Sequence, residues 1–150
     1  RRNGRSLCMN LYIFDTDHIT FYQNGDVNVG TRFDEKPPEQ IAVTIISFEE
    51  QIRGRLAMIK RADSQQRQIQ AYGLLELTLH YFADANVLPF DEAAATQLTQ
   101  LRQLKLRVGS QDLKIAAIAL ANDAIFVTRN RRDFERVPNL VIEDWSVPSD

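Results

Sequence analysis

Five acids in this chain stand where carboxylates can do phosphate chemistry. Asp15 and Asp17 follow the apolar run in "LYIFDTDHIT", and Glu50 follows "IAVTIIS". Asp112 opens "SQDLKIAAIALANDA", and Asp133 lies in "RNRRDFERV" after "AIFVT". A carboxylate just beyond a buried strand serves such chemistry in one of two ways. It attacks phosphorus and becomes a covalent intermediate, or it holds a divalent cation that activates water. Plain structural roles compete at each position. Asp15 or Thr16 can cap a helix, Glu50 can complete a capping box with Ser47, and Asp133 can decorate a surface loop. Asp112 is harder to dismiss, because the residues behind it, "LKIAAIALA", are nearly all apolar.

The elements that must position these acids alternate. Continuous apolar runs predict strands at 11–14, from 41, at 87–90, at 124–128 and at 140–144. Helices are expected from Asp15 or Thr16 to about Tyr22, from Ser47 as N-cap, across 63–85, from Asp91 as cap and from Ser110 as cap. In the long helix the apolar face is Ile69, Leu74, Leu75, Leu77 and Leu79, a core or dimer face, with His80 on it as a structural residue. The stretch 24–39 is ambiguous up to its paired prolines, and 129–137 reads as a loop or short helical turn. This alternation implies a three-layer α/β/α fold around a central, mainly parallel sheet of about five short strands. In such sheets the reacting groups collect beyond the carboxyl ends of the strands. Three of the acids sit near a strand end, and Asp112 sits at a helix N-terminus able to face the same edge. Four carboxylates there repel and raise each other's pKa unless a cation is present. Oxygen donors without Cys or paired His favour Mg²⁺, with Mn²⁺ as substitute, over Zn²⁺.

Composition sets bounds on the alternatives. The chain has 150 residues, with 18 Lys+Arg against 20 Asp+Glu and a net charge of −2, so it carries no global basic signature for nucleic acid. A single cysteine, Cys8, excludes an internal disulfide and a Cys-based zinc cluster and suits the reducing cytoplasm. No apolar run approaches the roughly 20 residues that span a bilayer. The leader "RRNGRSLCMN" lacks the apolar stretch of a secretion signal. Met9 reads as a natural start, so residues 1–8 are expected to be upstream-encoded or vector-derived and 9–150 a single domain.

Taken together, "YIFDTDHIT", "VTIISFEEQIRG", "VLPFDEAAA" and "SQDLKIAAIALANDAIFVTRNRRDFERVPNLVIEDW" resemble the PIN-domain family, and within it the VapC-type toxin ribonucleases of bacterial toxin–antitoxin pairs. The resemblance implies a Mg²⁺-dependent endoribonuclease that hydrolyses RNA with metal-activated water. It implies catalytic Asp15, Glu50, Asp112 and Asp133, the first three being metal ligands. Glu50 is chosen over Glu49 because the family acid lies four residues before a helical glycine, here Gly54. Many members place Asp where this chain has Asn130, so Asn130 or Asp133 completes the site, or three strong ligands suffice. Asp17 fits a supporting or helix-start role, and Thr128 a hydrogen bond to an acid. Arg53, Arg129, Arg131 and Arg132 are candidate phosphate contacts, with solvated surface arginines as the alternative. His18, one turn into a helix, reads as surface or packing rather than as a base. A homodimer and a VapB-like antitoxin are the implied protein partners.

Two rivals remain. The DxD of "IFDTDHIT" is close to the HAD phosphohydrolase pattern, with Asp15 as nucleophile and Asp17 as general acid. However, "RNRRDFERV" lacks the lysine that family needs. The other rival is a silent PIN fold that binds RNA or protein without cutting.

Overall fold

The computed structural model describes residues 10–148. Cys8, Met9 and the leader discussed above lie outside the described residues. Strand β1 (Tyr12–Phe14) leads into helix α1 (Thr16–Gln23) and then α2 (Val27–Asp34). A 3-10 turn (Pro38–Gln40) precedes β2 (Ile41–Thr44), α3 (Ile45–Arg61) and α4 (Gln65–Asp84). Then come β3 (Val87–Leu88), α5 (Glu92–Gln103), α6 (Ser110–Ala121), β4 (Ile125–Val127), the single turn α7 (Arg131–Phe134) and β5 (Val141–Glu143). The sheet order is β3-β2-β1-β4-β5, and all four pairings are parallel.

Helices cover both faces, as a buried parallel sheet requires. Because side chains alternate along a strand, Ile13, Ala42 and Phe126 join Leu98, Leu101 and the buried Ile115–Ala119 segment of α6 on one face. Tyr12, Phe14, Val43 and Val127 pack with Ile19, Val29, Phe82 and Trp145 on the other. This is the α/β/α architecture expected from the sequence.

Several local expectations need correction. The run 41–47 is not all strand. Thr44 ends β2 and caps α3, its Oγ1 accepting the Ser47 amide at 3.1 Å, so Ser47 lies inside the helix and forms no capping box with Glu50. A continuous apolar run cannot by itself mark where strand becomes helix. Helix α6 is preceded by Gly109 rather than capped by Ser110, and no side chain caps it. The ambiguous 24–39 stretch folds as α2, whose cap Asp26 accepts the Val29 amide at 3.0 Å. Helix α4 buries Ala71, Thr78 and Phe82, with Phe82 edge-on to Phe48 of α3. Ile69, Tyr72, Leu77 and Leu79 are exposed. His80 is exposed too, 3.9 Å from Glu76, and is no core residue.

Candidate active site

The strand order reverses direction at the centre of the sheet, between β1 and β4. Diverging connections there leave a crevice at the carboxyl edge, the usual ligand position in open α/β sheets. Asp15 stands in it. Its amide donates to Val127 O at 2.8 Å and extends the ladder by one residue. Its Oδ1 accepts the Thr16 amide at 2.7 Å as the cap of α1. Its Oδ2 accepts from Thr128 Oγ1, just beyond β4, at 2.8 Å. Capping and site roles therefore fall on two oxygens of one side chain.

The other acids reach this edge from α1, α3, α6 and α7. Thr16 Oγ1 donates to Glu50 Oε1 at 2.9 Å, which ties α3 to the start of α1. Glu49, one residue earlier, turns outward to Arg53 at 2.6 Å and Gln111 at 3.0 Å. The Gln111 donor and the Arg53 charge hold its carboxyl below the usual range. Asp17 Oδ2 accepts the Arg129 amide at 3.4 Å. Asn130 donates its amide to Thr128 Oγ1 at 3.0 Å and its side-chain N–H to Asp133 Oδ2 at 3.2 Å. Asn130 and Asp133 thus form one unit at the rim.

Electrostatics joins the acids into one group. Burial, then the charges of Asp17 and Asp112, raise Asp15 to about 7 against the opposing bonds from Thr128 and Thr16. Burial, then Glu50, Asp133 and Asp17, raise Asp112. Among the described residues, however, no three His, Cys, Asp or Glu side chains are drawn together into a set that holds a metal ion as it stands. The arrangement is a set of mutually repelling acids within electrostatic reach rather than a closed ligand shell. Its donors are all oxygens and its excess charge is negative, so the residues fit a hard divalent cation.

The arginines divide. Arg53 is engaged with Glu49, Arg131 Nε lies 3.3 Å from Glu135, and the Arg129 guanidinium lies over Phe21 at 5.8 Å. Arg132 is exposed. A cleft of about 840 Å³ runs from Thr16 and Glu50 between α1, α3 and α4, past Gln51, Arg55, Leu77 and Tyr81. No helix among the described residues is long and apolar enough to cross a membrane.

The family pattern of the PIN domain matches residues 12–140. This chain belongs to the PIN domain family. That membership, with the PIN-like sheet order, sets aside the HAD reading. The PIN chain is 46% identical over 65 residues to the tRNA(fMet)-specific endonuclease VapC of Shigella flexneri, covering 41% of this chain and 49% of that protein. It is 26% identical over 140 residues to Ribonuclease VapC1 of Haemophilus influenzae strain R2866, covering 91% and 98%. The matches of higher identity span about half or less of those relatives' lengths. Among solved structures, a chain of the DNA-bound VapBC crystal structure from Salmonella typhimurium aligns with a TM-score of 0.73 at 27% identity, covering 91% of this PIN chain and 99% of that one.

Proposed function

We propose that this PIN domain is a Mg²⁺-dependent endoribonuclease and the toxin of a VapBC-like pair in the cytoplasm, with Mn²⁺ able to replace Mg²⁺. The observation that carries the reading is the gathering of acids far apart in sequence at the switch point of the sheet. There burial first, and then neighbouring carboxylates with Asp17 among them in both cases, raise Asp15 and Asp112. The names of its relatives, ribonuclease and endonuclease VapC, point the same way.

In this reading Asp15, Glu50 and Asp112 hold the ion, and Asp133 with Asn130 completes the rim. When bound, the cation supplies Lewis-acid stabilisation of the phosphodiester and makes water a stronger nucleophile near neutral pH. Thr128 and Thr16 fix the Asp15 oxygens and favour the ionised carboxylate that a cation needs. One carboxylate would orient the attacking water, and Asp133, at the rim within electrostatic reach of Asp112, is the candidate. Arg129, Arg131 and Arg132 follow β4 directly and meet the RNA backbone there. Arg53 reaches phosphate only by leaving Glu49. The cleft beginning at Glu50 suits an antitoxin segment that blocks the acids, and the exposed apolar residues of α4 suit a homodimer.

One observation favours a second reading, a PIN fold that binds without cutting: the acids do not form a closed shell. RNA cleavage in Mg²⁺ or Mn²⁺ separates the two. Wild type is expected to cut, and Asp112→Asn to lose cleavage by at least about 100-fold while staying folded. A folded Asp112→Asn protein that cuts like wild type overturns the nuclease assignment.

A further inference from the structure

His18 is fully buried, yet both ring nitrogens have polar neighbours. Nδ1 lies 3.0 Å from Asp17 Oδ1. Nε2 lies 3.1 Å from the Trp145 amide nitrogen and 3.5 Å from Asp144 Oδ1. A backbone N–H only donates, so Nε2 must accept. Asp144 Oδ1 already takes the Ser146 amide at 2.9 Å and the Ser146 hydroxyl at 2.6 Å, so it does not need an imidazole proton. The ring proton therefore sits on Nδ1 and is donated to Asp17.

The same bonds close a circuit around the candidate site. The Thr128 amide donates to Glu143 O at 2.9 Å, while Thr128 Oγ1 holds Asp15 at 2.8 Å. Two residues after Glu143, Trp145 donates to His18, which holds Asp17, and Asp17 in turn accepts the Arg129 amide. Trp145 packs edge-on to Phe14 at 5.2 Å and its Nε1 donates to Glu143 Oε1 at 2.9 Å, so the circuit has a rigid floor.

We propose that His18 is a positioning residue of the nuclease site. In its neutral Nδ1–H form it fixes the Asp17 carboxylate, which faces Asp15 and Asp112 and anchors the arginine-bearing loop after β4, and it ties that carboxylate to the turn after β5. It touches no reacting atom and acts through Asp17. Its kinetic consequence rests on the nuclease reading, whereas its structural consequence does not.

Two substitutions split its two bonds. His18→Asn keeps an N–H near the Nδ1 position and gives up the Trp145 acceptor. His18→Gln keeps an oxygen near the Nε2 position and gives up the donor to Asp17. In the full-length protein without divalent ions, ¹⁵N-edited NMR of wild type is expected to show His18 protonated on Nδ1 only. The Arg129 amide resonance is expected to shift in His18→Gln and in Asp17→Asn, and to stay near its wild-type position in His18→Asn. In RNA cleavage, His18→Gln is expected to lose about 10-fold or more in kcat with KM unchanged, the usual cost of removing a partner behind a site carboxylate, and His18→Asn to regain most of it. An Nε2–H tautomer in wild type, an Arg129 amide unmoved by Asp17→Asn, or equal kcat in the two His18 variants overturns the proposal. If wild type cuts no RNA, the nuclease reading fails, while the tautomer and the Arg129 amide still decide whether His18 positions Asp17. If neither His18 variant folds, wild type and Asp17→Asn decide it alone.

Discussion

Replacing Asp15 with Asn should stabilise the cation-free protein in a way that grows with pH. The Asp15 carboxyl titrates at about 7 in the folded chain against an ordinary 3.8. Below pH 3.8 the acid is protonated in both states and imposes no penalty. Between the two values the unfolded chain releases its proton and the folded chain keeps it, so stability falls as pH rises, and the fall levels off above about 7. At about 1.4 kcal/mol per pH unit, the penalty is under about 2 kcal/mol at pH 5 and about 4 kcal/mol at pH 8. Asparagine stays neutral and keeps one acceptor oxygen to cap α1, while its amide N–H faces Thr128 Oγ1, which can turn to accept. The lost acceptor is a cost independent of pH and cancels in the comparison. Its advantage over wild type should therefore widen by about 3 kcal/mol from pH 5 to pH 8. For a domain of this size that is roughly 6–12 °C in Tm. Thermal unfolding followed by circular dichroism, with chelator present, measures it. Adding Mg²⁺ at pH 8 should then raise the Tm of wild type and leave the variant nearly unmoved, by mass action on the folded state. An advantage of equal size at both pH values, or one that shrinks at pH 8, refutes the account of a buried and repelled carboxylate.

Two other substitutions have distinct signatures. Thr128→Val removes the donor that favours ionised Asp15 and the acceptor of the Asn130 amide. It should cost about 1–2 kcal/mol in denaturant unfolding and shift the rising limb of the cleavage rate to higher pH, because Asp15 then titrates higher still. Asp91→Ala, at the cap of α5 where Oδ1 accepts the Ala94 amide at 3.0 Å, should cost about 1 kcal/mol of stability and leave cleavage unchanged, as read by urea denaturation beside an RNA assay.

The layers and the acids were legible in the sequence because each depends on local pattern. Continuous apolar runs announced β1, β2 and β4, and the Ala-rich run after Asp112 announced the buried α6. What local pattern could not carry was any role set by a distant partner. Thr44 and Ser47 are equally good caps by type, and only the end of pairing with β3 at Thr44 decides between them. Local pattern left the leucine face of α4 as either a core or a dimer face, and only packing shows that Leu77 and Leu79 are exposed in the protomer while Thr78 is buried. The Thr78 hydroxyl is buried without cost, since it donates to Leu74 O at 2.9 Å and accepts from Arg55 Nε at 3.0 Å. Arg53 keeps both of its sequence readings, surface arginine and phosphate contact, because its pair with Glu49, four residues before it, is exposed. His18 is the clearest case, because nothing near it in sequence hints that its Nε2 accepts the backbone amide of Trp145, 127 residues away.

That span bears on when the acid site can form. A ribosome emits Asp15 well before the Glu143–Trp145 brace, and at common rates of synthesis roughly 6–25 s separate them. Through that interval the nascent chain carries its first acid without the strand that holds Thr128 or the turn that holds His18. The acid site of this fold therefore forms as one late event, once the brace has emerged, rather than acid by acid as each carboxylate is synthesised.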